Sequence, residues 1–179
     1  MKKGNHCRLR RKDYPTFPQS NYEKVVNREL DGAFCIGEYD LSQIQVRYEL
    51  QEQVVLLTNV QAQEAPASTD LANAAWIVFP VGCQIRAVNE DWLLSEGVTL
   101  LNKIEVNTIH TMLNCVRDGI GYALVTHSVV APDDDRIRVH PVPELYRFVT
   151  TRLIALKEPF QNKAFTAFVV YIRAAGGEA

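Results

Sequence analysis

The sequence predicts an α/β protein with mixed, mainly parallel sheets, and three observations carry that reading. Residues 76–126 run strand, helix, strand, helix, strand within about fifty positions, an order that implies parallel pairing through crossover helices. The run Val54-Val-Leu-Leu-Thr58 is too continuous and too β-branched for a half-exposed edge, so it reads as a buried strand. With 179 residues, 47% of them hydrophobic and 22% charged, the chain is long enough to bury a core of one domain or two small lobes.

Taken in order, residues 22–30 (YEKVVNREL) place Tyr22, Val25, Val26 and Leu30 at helical spacing, with Asn21 as a cap and Asp31-Gly32 as the breaker. Ala33–Ile36 is a buried strand ending at Gly37, and a second strand spans about 48–58. Residues 60–72 are polar and contain one proline, as a connection between lobes would. WIVFP (76–80) is the next strand; Gly82 turns the chain into a helix that buries Ile85, Val88 and Trp92. KIEV (103–106) is followed by Thr108, which caps a helix carrying Ile109, Met112, Leu113 and Val116 on one face. Gly119 and Gly121 close that helix because either tolerates the left-handed conformation. YALVT (122–126) and TRLIALK (151–157) are strands. A last helix shows an apolar stripe of Ala164, Phe165, Phe168, Val169 and Ile172.

The net charge of −2 hides an asymmetry. Six of the 19 basic residues fall in residues 1–12, which contain no acid, and the remainder has 13 basic against 21 acidic residues, a balance of −8. Such a body repels nucleic acid, and no recognition-helix pattern accompanies the basic start, which reads as a solvated helix remnant. No stretch approaches about 18 uninterrupted apolar residues, so no membrane span is expected. There is no apolar signal core at the N-terminus, so the expected location is cytoplasmic. Cys7, Cys35, Cys83 and Cys115 lack metal-like spacing and read as free thiols. Asp133-Asp134-Asp135, in a proline-flanked loop, reads as solvated rather than as a cation site. His127 and His140 have no partner at ligand spacing, and no metal or cofactor is expected.

The segments WIVFPVGCQIRAVNEDWLLSEG and KIEVNTIHTMLNCVRDGIGYALVT resemble the second lobe of LysR-type effector-binding domains, in the subgroup with a GCxxR…xxWL…G stretch after the first strand. LDGAFCIG (30–37) resembles that family's LDxAIxxG strand, RDGIGYALVT (117–126) its xxGxGxxLLP turn, and VHPVPE with TTRLIALKE its closing portion. The resemblance covers roughly residues 21–173 in the family's order. It implies a periplasmic-binding-protein-like domain of two lobes joined by two crossing strands, with a ligand cleft between them. It also implies a homo-oligomeric transcription regulator whose grip on DNA changes when a small anionic metabolite binds.

Two departures are expected. The winged helix-turn-helix and linker helix of such regulators are not present, so DNA would be reached only through a missing N-terminal domain. The first lobe is short as well. RLRRKDYPTF (8–17) resembles the end of its first helix, yet only PTFPQS (15–20) separates it from NYEKVV. The expected layout is a basic remnant at 1–20, a partial first lobe at 21–60, a second lobe at 61–145, and a return strand with C-terminal helix at 146–179.

Open α/β sheets bind ligands beyond the carboxyl ends of their strands, where helix N-termini present free amides. Two such places are Gly82-Cys83-Gln84 and Asn107-Thr108-Ile109, and Gly37 and Glu38 end the first-lobe strand toward the same cleft. Equally, Thr108 is a plain cap and Gly82 a plain turn. Cys83 sits where a helix dipole would favour a thiolate, but His110 is its only nearby base and no third residue orients it. No paired-carboxylate, GxSxG or phosphate-loop pattern appears, so no catalytic residue is assigned and no enzyme is expected. The alternatives are a stand-alone solute-binding protein of similar fold and an inactive gene fragment.

Overall fold

The computed structural model describes residues 21–37, 39–62, 66–157 and 162–176. Its architecture is organised by one long strand, β2 (Ile44–Asn59), which serves two sheets in turn. Residues 44–53 of β2 pair antiparallel with β7 (Phe148–Leu156), with a register shift between Val46 and Tyr48. β7 pairs on its other side with β1 (Ala33–Ile36). From Val54 onward β2 leaves β7 and lies between β5 (Ala123–Thr126) and β6 (Ile137–Pro141), antiparallel to both. Next to β5, the chain at Tyr122 forms a parallel bridge to Trp76 at the start of β3 (Trp76–Val78), and β3 pairs parallel with β4 (Lys103–Glu105). The sheets are mixed as the sequence predicts, but among the described residues their parallel share is confined to β3, β4 and that bridge. The reason is that β2 and β7 cross between the lobes in opposite directions, so every long ladder is antiparallel.

The buried run in β2 has a direct explanation. Val54 and Leu56 point into one apolar cluster with Ile85, Trp92 and Leu93 of α3 (Gln84–Ser95). Val55 and Leu57 point the other way, to Met112, Leu113 and Val116 of α4 (Ile109–Arg117). Successive strand residues face opposite sides of a sheet, so a strand covered by helices on both faces must be apolar at every position. Trp76 and Val78 belong to the α3 side and Ile77 to the α4 side, by the same alternation. Trp76 meets Trp92 and Tyr122 edge-on and donates its indole N–H to the Leu71 carbonyl at 3.0 Å. Leu71 belongs to α2 (Ser68–Asn73), a short helix in the connection that the sequence marks as polar.

A third, smaller cluster holds the other lobe: Val25 of α1 (Asn21–Val26) packs on Ala33, Cys35, Ile44 and Ile154. The helix expected over 22–30 stops at Val26. Arg28 adopts φ 64°, while the Arg28 and Glu29 amides bond back to the Val25 and Lys24 carbonyls at 3.1 and 2.8 Å. That pair of bonds is a Schellman ending, built here on an arginine where glycine is the usual occupant. α4 matches expectation: the Thr108 side chain accepts from the Thr111 amide at 3.1 Å, and Gly119 takes φ 71° two residues past its end. α5 (Lys163–Ala175) is capped by Asn162, whose side chain accepts from the Ala164 amide. Val169 is buried, but Phe168 of the same stripe is half-exposed and meets Phe34 edge-on.

Asp134 does not behave as solvated. Arg117 holds it at 2.6 Å with only 7% of the aspartate side chain exposed, and the Arg117 hydrogen bonds lower its carboxyl below the usual carboxylate range. The ion pair pins the loop before β6 to the end of α4. Cys35, Cys83 and Cys115 are free thiols, and Cys7 lies outside the described residues. Burial raises the Cys35 thiol, only partly offset by a hydrogen bond with Tyr39, and burial together with Cys35 raises Tyr39 in turn.

Candidate functional site

A cleft of about 340 Å³ lies between α3 and the β1–β7 strand ends. Four structural pieces form it. β1 supplies Ile36 and Gly37 at its carboxyl end, β7 supplies Phe148 to Thr150 and Arg152, and the 3-10 turn Glu144–Tyr146 supplies Leu145 and Tyr146. α3 supplies Gln84, Ala87, Val88 and Asp91, which fall at helical spacing along one face. The opposite face carries Ile85, Asn89 and Trp92 into the core, so α3 buries one stripe and offers the other to the cleft.

Arg152 organises the strand side. Its Nε donates to Glu49 Oε2 at 2.6 Å and its Nη1 to the Gly37 carbonyl at 2.8 Å. Register makes this possible, because Arg152 stands between Cys35 of β1 and Glu49 of β2. Gly37 has φ 112°, and a Cβ there would stand 3.3 Å from Gln84 Oε1. Glycine therefore lets the end of β1 approach the first residue of α3. Near the crossing, Thr151 and Ser128 both donate to the Glu52 carboxylate, Ser128 at 2.7 Å. The two sheets are thus tied by a shared acceptor.

α3 is itself clamped. Arg86 is buried, and its guanidinium donates to Glu90 at 2.8 Å, to the Phe79 carbonyl at 3.0 Å and to Glu105 at 2.7 Å. Burial alone would depress that guanidinium; the bonds from Glu90 and Glu105 more than offset it and raise it above its usual value. Helix, β3 end and β4 are fixed by one side chain, which explains the arginine of the GCxxR stretch.

Of the residues singled out from the sequence, the cleft brings together Gly37 and Gln84. Gly82 and Cys83 form the turn into α3, with Cys83 at the N-cap and partly buried against the α3-side cluster. Asn107, Thr108 and Ile109 stand at the start of α4 and are not among the lining residues. α3 and α4 cover opposite faces of the sheet, and of the two it is α3 whose residues line the cleft with β1 and β7. Glu38 lies outside the described residues. Sequence reasoning missed Arg152, Thr150, Asp91 and the Tyr146 turn. Two signals were present: a lone arginine inside the apolar strand TTRLIAL, and Gln84 and Asp91 seven residues apart on one helical face.

A family model for the LysR substrate binding domain matches residues 16–177. The chain is 28% identical over 157 residues to the HTH-type transcriptional regulator GltR of Bacillus subtilis, covering 87% of this chain and 53% of that protein. It is 32% identical over 154 residues to the HTH-type transcriptional regulator SoxR of an Arthrobacter species, covering 84% and 52%. The chain thus spans about half the length of these curated relatives. Among solved structures, the effector binding domain of QuiR in complex with shikimate superposes with a TM-score of 0.68 at 16% identity, covering 86% of this chain and 75% of that one. No helix among the described residues is long and apolar enough to cross a membrane. With the model match running almost end to end and two lobes joined by β2 and β7, the chain belongs to the LysR substrate-binding domain family.

Proposed function

We propose that this chain senses a small carboxylate-bearing metabolite in the cleft between α3 and the β1–β7 strand ends. In the complete regulator, occupancy of that cleft changes how an attached reader grips DNA. The reading is of a binding site, in a cytoplasmic homo-oligomer, and not of a catalytic one. The observation that carries it is a cleft with apolar walls lined by side-chain donors left unpartnered among the described residues. Arg152 Nη2 and the Gln84 side-chain amide make no hydrogen bond among the described residues, and Thr150 adds a hydroxyl beside them. Few, well-placed polar groups in an apolar concavity are what a small-ligand site needs. The α3 N-terminus, entered through Gly82 and Cys83, adds unpaired amides that favour an anion. Asn107, Thr108 and Ile109 present a second helix start at the neighbouring strand end, outside the lining of this cleft, and stand as the alternative anion site. The shikimate complex of the QuiR effector domain supports a carboxylate ligand.

The test is a titration of the isotopically labelled chain with benzoate, followed by amide chemical shifts. Shifts should concentrate at Gly37, Gln84 and Thr150. Arg152→Gln should weaken binding by about tenfold or more, since one charge-assisted hydrogen bond contributes roughly 1.5–3 kcal/mol. Shifts confined to residues 107–110, with Arg152→Gln silent, would move the site to the α4 start.

A further inference from the structure

We propose that the cleft selects a small zwitterion, an ω-amino carboxylate of about four carbons, over a plain carboxylate. This rests on the effector-site reading above and specifies the ligand that the site prefers.

Arg152 already has a counter-charge, Glu49, at 2.6 Å. A carboxylate arriving at Arg152 therefore gains hydrogen bonds but little net Coulomb attraction. Among the described residues the cleft contains one more charged side chain, Asp91, whose carboxylate forms no ion pair with any of them. A ligand that is only an anion meets repulsion from it. A ligand that carries a cation at its other end turns Asp91 from an obstacle into a partner, and a charge-assisted hydrogen bond in a partly covered site is among the stronger polar contacts.

Geometry sets the spacing. Gln84 and Asp91 line the same cleft from the same face of α3, and seven residues of helix span about 10 Å. A hydrogen bond takes up roughly 3 Å at each end, which leaves about 5 Å between the ligand's charged groups. That is the extent of an extended four-carbon ω-amino carboxylate, and too long for an α-amino acid, whose charges sit on adjacent carbons. Between the poles the walls are Val88, Tyr146 and Phe148, apolar surface suited to methylene groups. About 340 Å³ is ample for such a molecule.

Calorimetric titration of the full chain with 4-aminobutanoate, butanoate and butylammonium tests the proposal, with benzoate as the reference carboxylate. The expected result is 4-aminobutanoate binding at least tenfold more tightly than either singly charged analogue. Asp91→Asn should erase that advantage and tighten butanoate, because the repelling carboxylate is gone. Butanoate binding as tightly as 4-aminobutanoate would overturn the zwitterion preference and leave the effector site standing. Benzoate binding while none of the three linear probes does would have the same consequence. If no probe binds, benzoate included, the effector-site reading fails as well.

Discussion

Replacing Arg86 with methionine isolates what the buried guanidinium contributes. Only 5% of the Arg86 side chain is exposed, while its partners Glu90 and Glu105 are 38% and 47% exposed. Methionine keeps the apolar stem packed against the cluster and removes the charged head. The Phe79 carbonyl loses its 3.0 Å donor just beyond β3, at a cost of roughly 1–2 kcal/mol. The two carboxylates return to water, so each lost pair costs only about 0.5 kcal/mol. The sum is about 2–3 kcal/mol. For a chain of this size each kcal/mol moves the midpoint by roughly 2–4 °C, so a fall of about 5–10 °C is expected. Urea denaturation followed by the fluorescence of Trp76 and Trp92, which share the α3-side cluster, gives the measurement. A loss below about 0.5 kcal/mol would refute the reasoning. It would mean that desolvating the guanidinium cancels its three bonds, the known failing of buried ion pairs.

Other substitutions probe separate parts of the fold. Thr108→Val removes the cap of α4 and should cost about 1 kcal/mol in the same denaturation assay, with Thr108→Ser nearly neutral. Gly119→Ala places a Cβ at φ 71° without a close contact, Asn59 being 3.9 Å away, so it should cost about 1 kcal/mol through backbone strain alone. Asp134→Asn tests the Arg117 pair through pH. The carboxyl is depressed in the folded state, so its stabilisation is present above about pH 4, the unfolded value, and is lost as pH falls through the lower folded value. Wild type should therefore be more stable than the variant at pH 7, and the two should converge in acid; a gap that persists unchanged at pH 2 would contradict the assignment.

Much of the fold was legible because its signals are local. The apolar run of β3 and the cap and apolar face of α4 can be read residue by residue, and the structure repeats them. The strand order was less legible, since β2 changes partners at residues 53 and 54 and nothing local in QEQVVLL marks a handover beyond the onset of the apolar run. The early end of α1 was hidden because the left-handed position is occupied by Arg28, and the sequence advertises a stop only at Asp31-Gly32. Of the cleft proposed as the site, part of the lining was visible. Gly37 and the α3 start follow from the rule that strand ends and helix N-termini meet. Arg152 and Asp91 did not, because their roles depend on β7 returning to lie against β1, 115 positions away from Gly37 in sequence.

The most direct measurement is a crystal structure of the chain grown with a saturating carboxylate ligand. Density is expected in the α3–β1–β7 cleft, with the carboxylate within hydrogen-bond distance of Arg152 and Gln84 and the remainder lying along Val88 toward Asp91. A ligand bound instead over Thr108 at the α4 start, with the cleft unoccupied and Arg152 untouched, would contradict it.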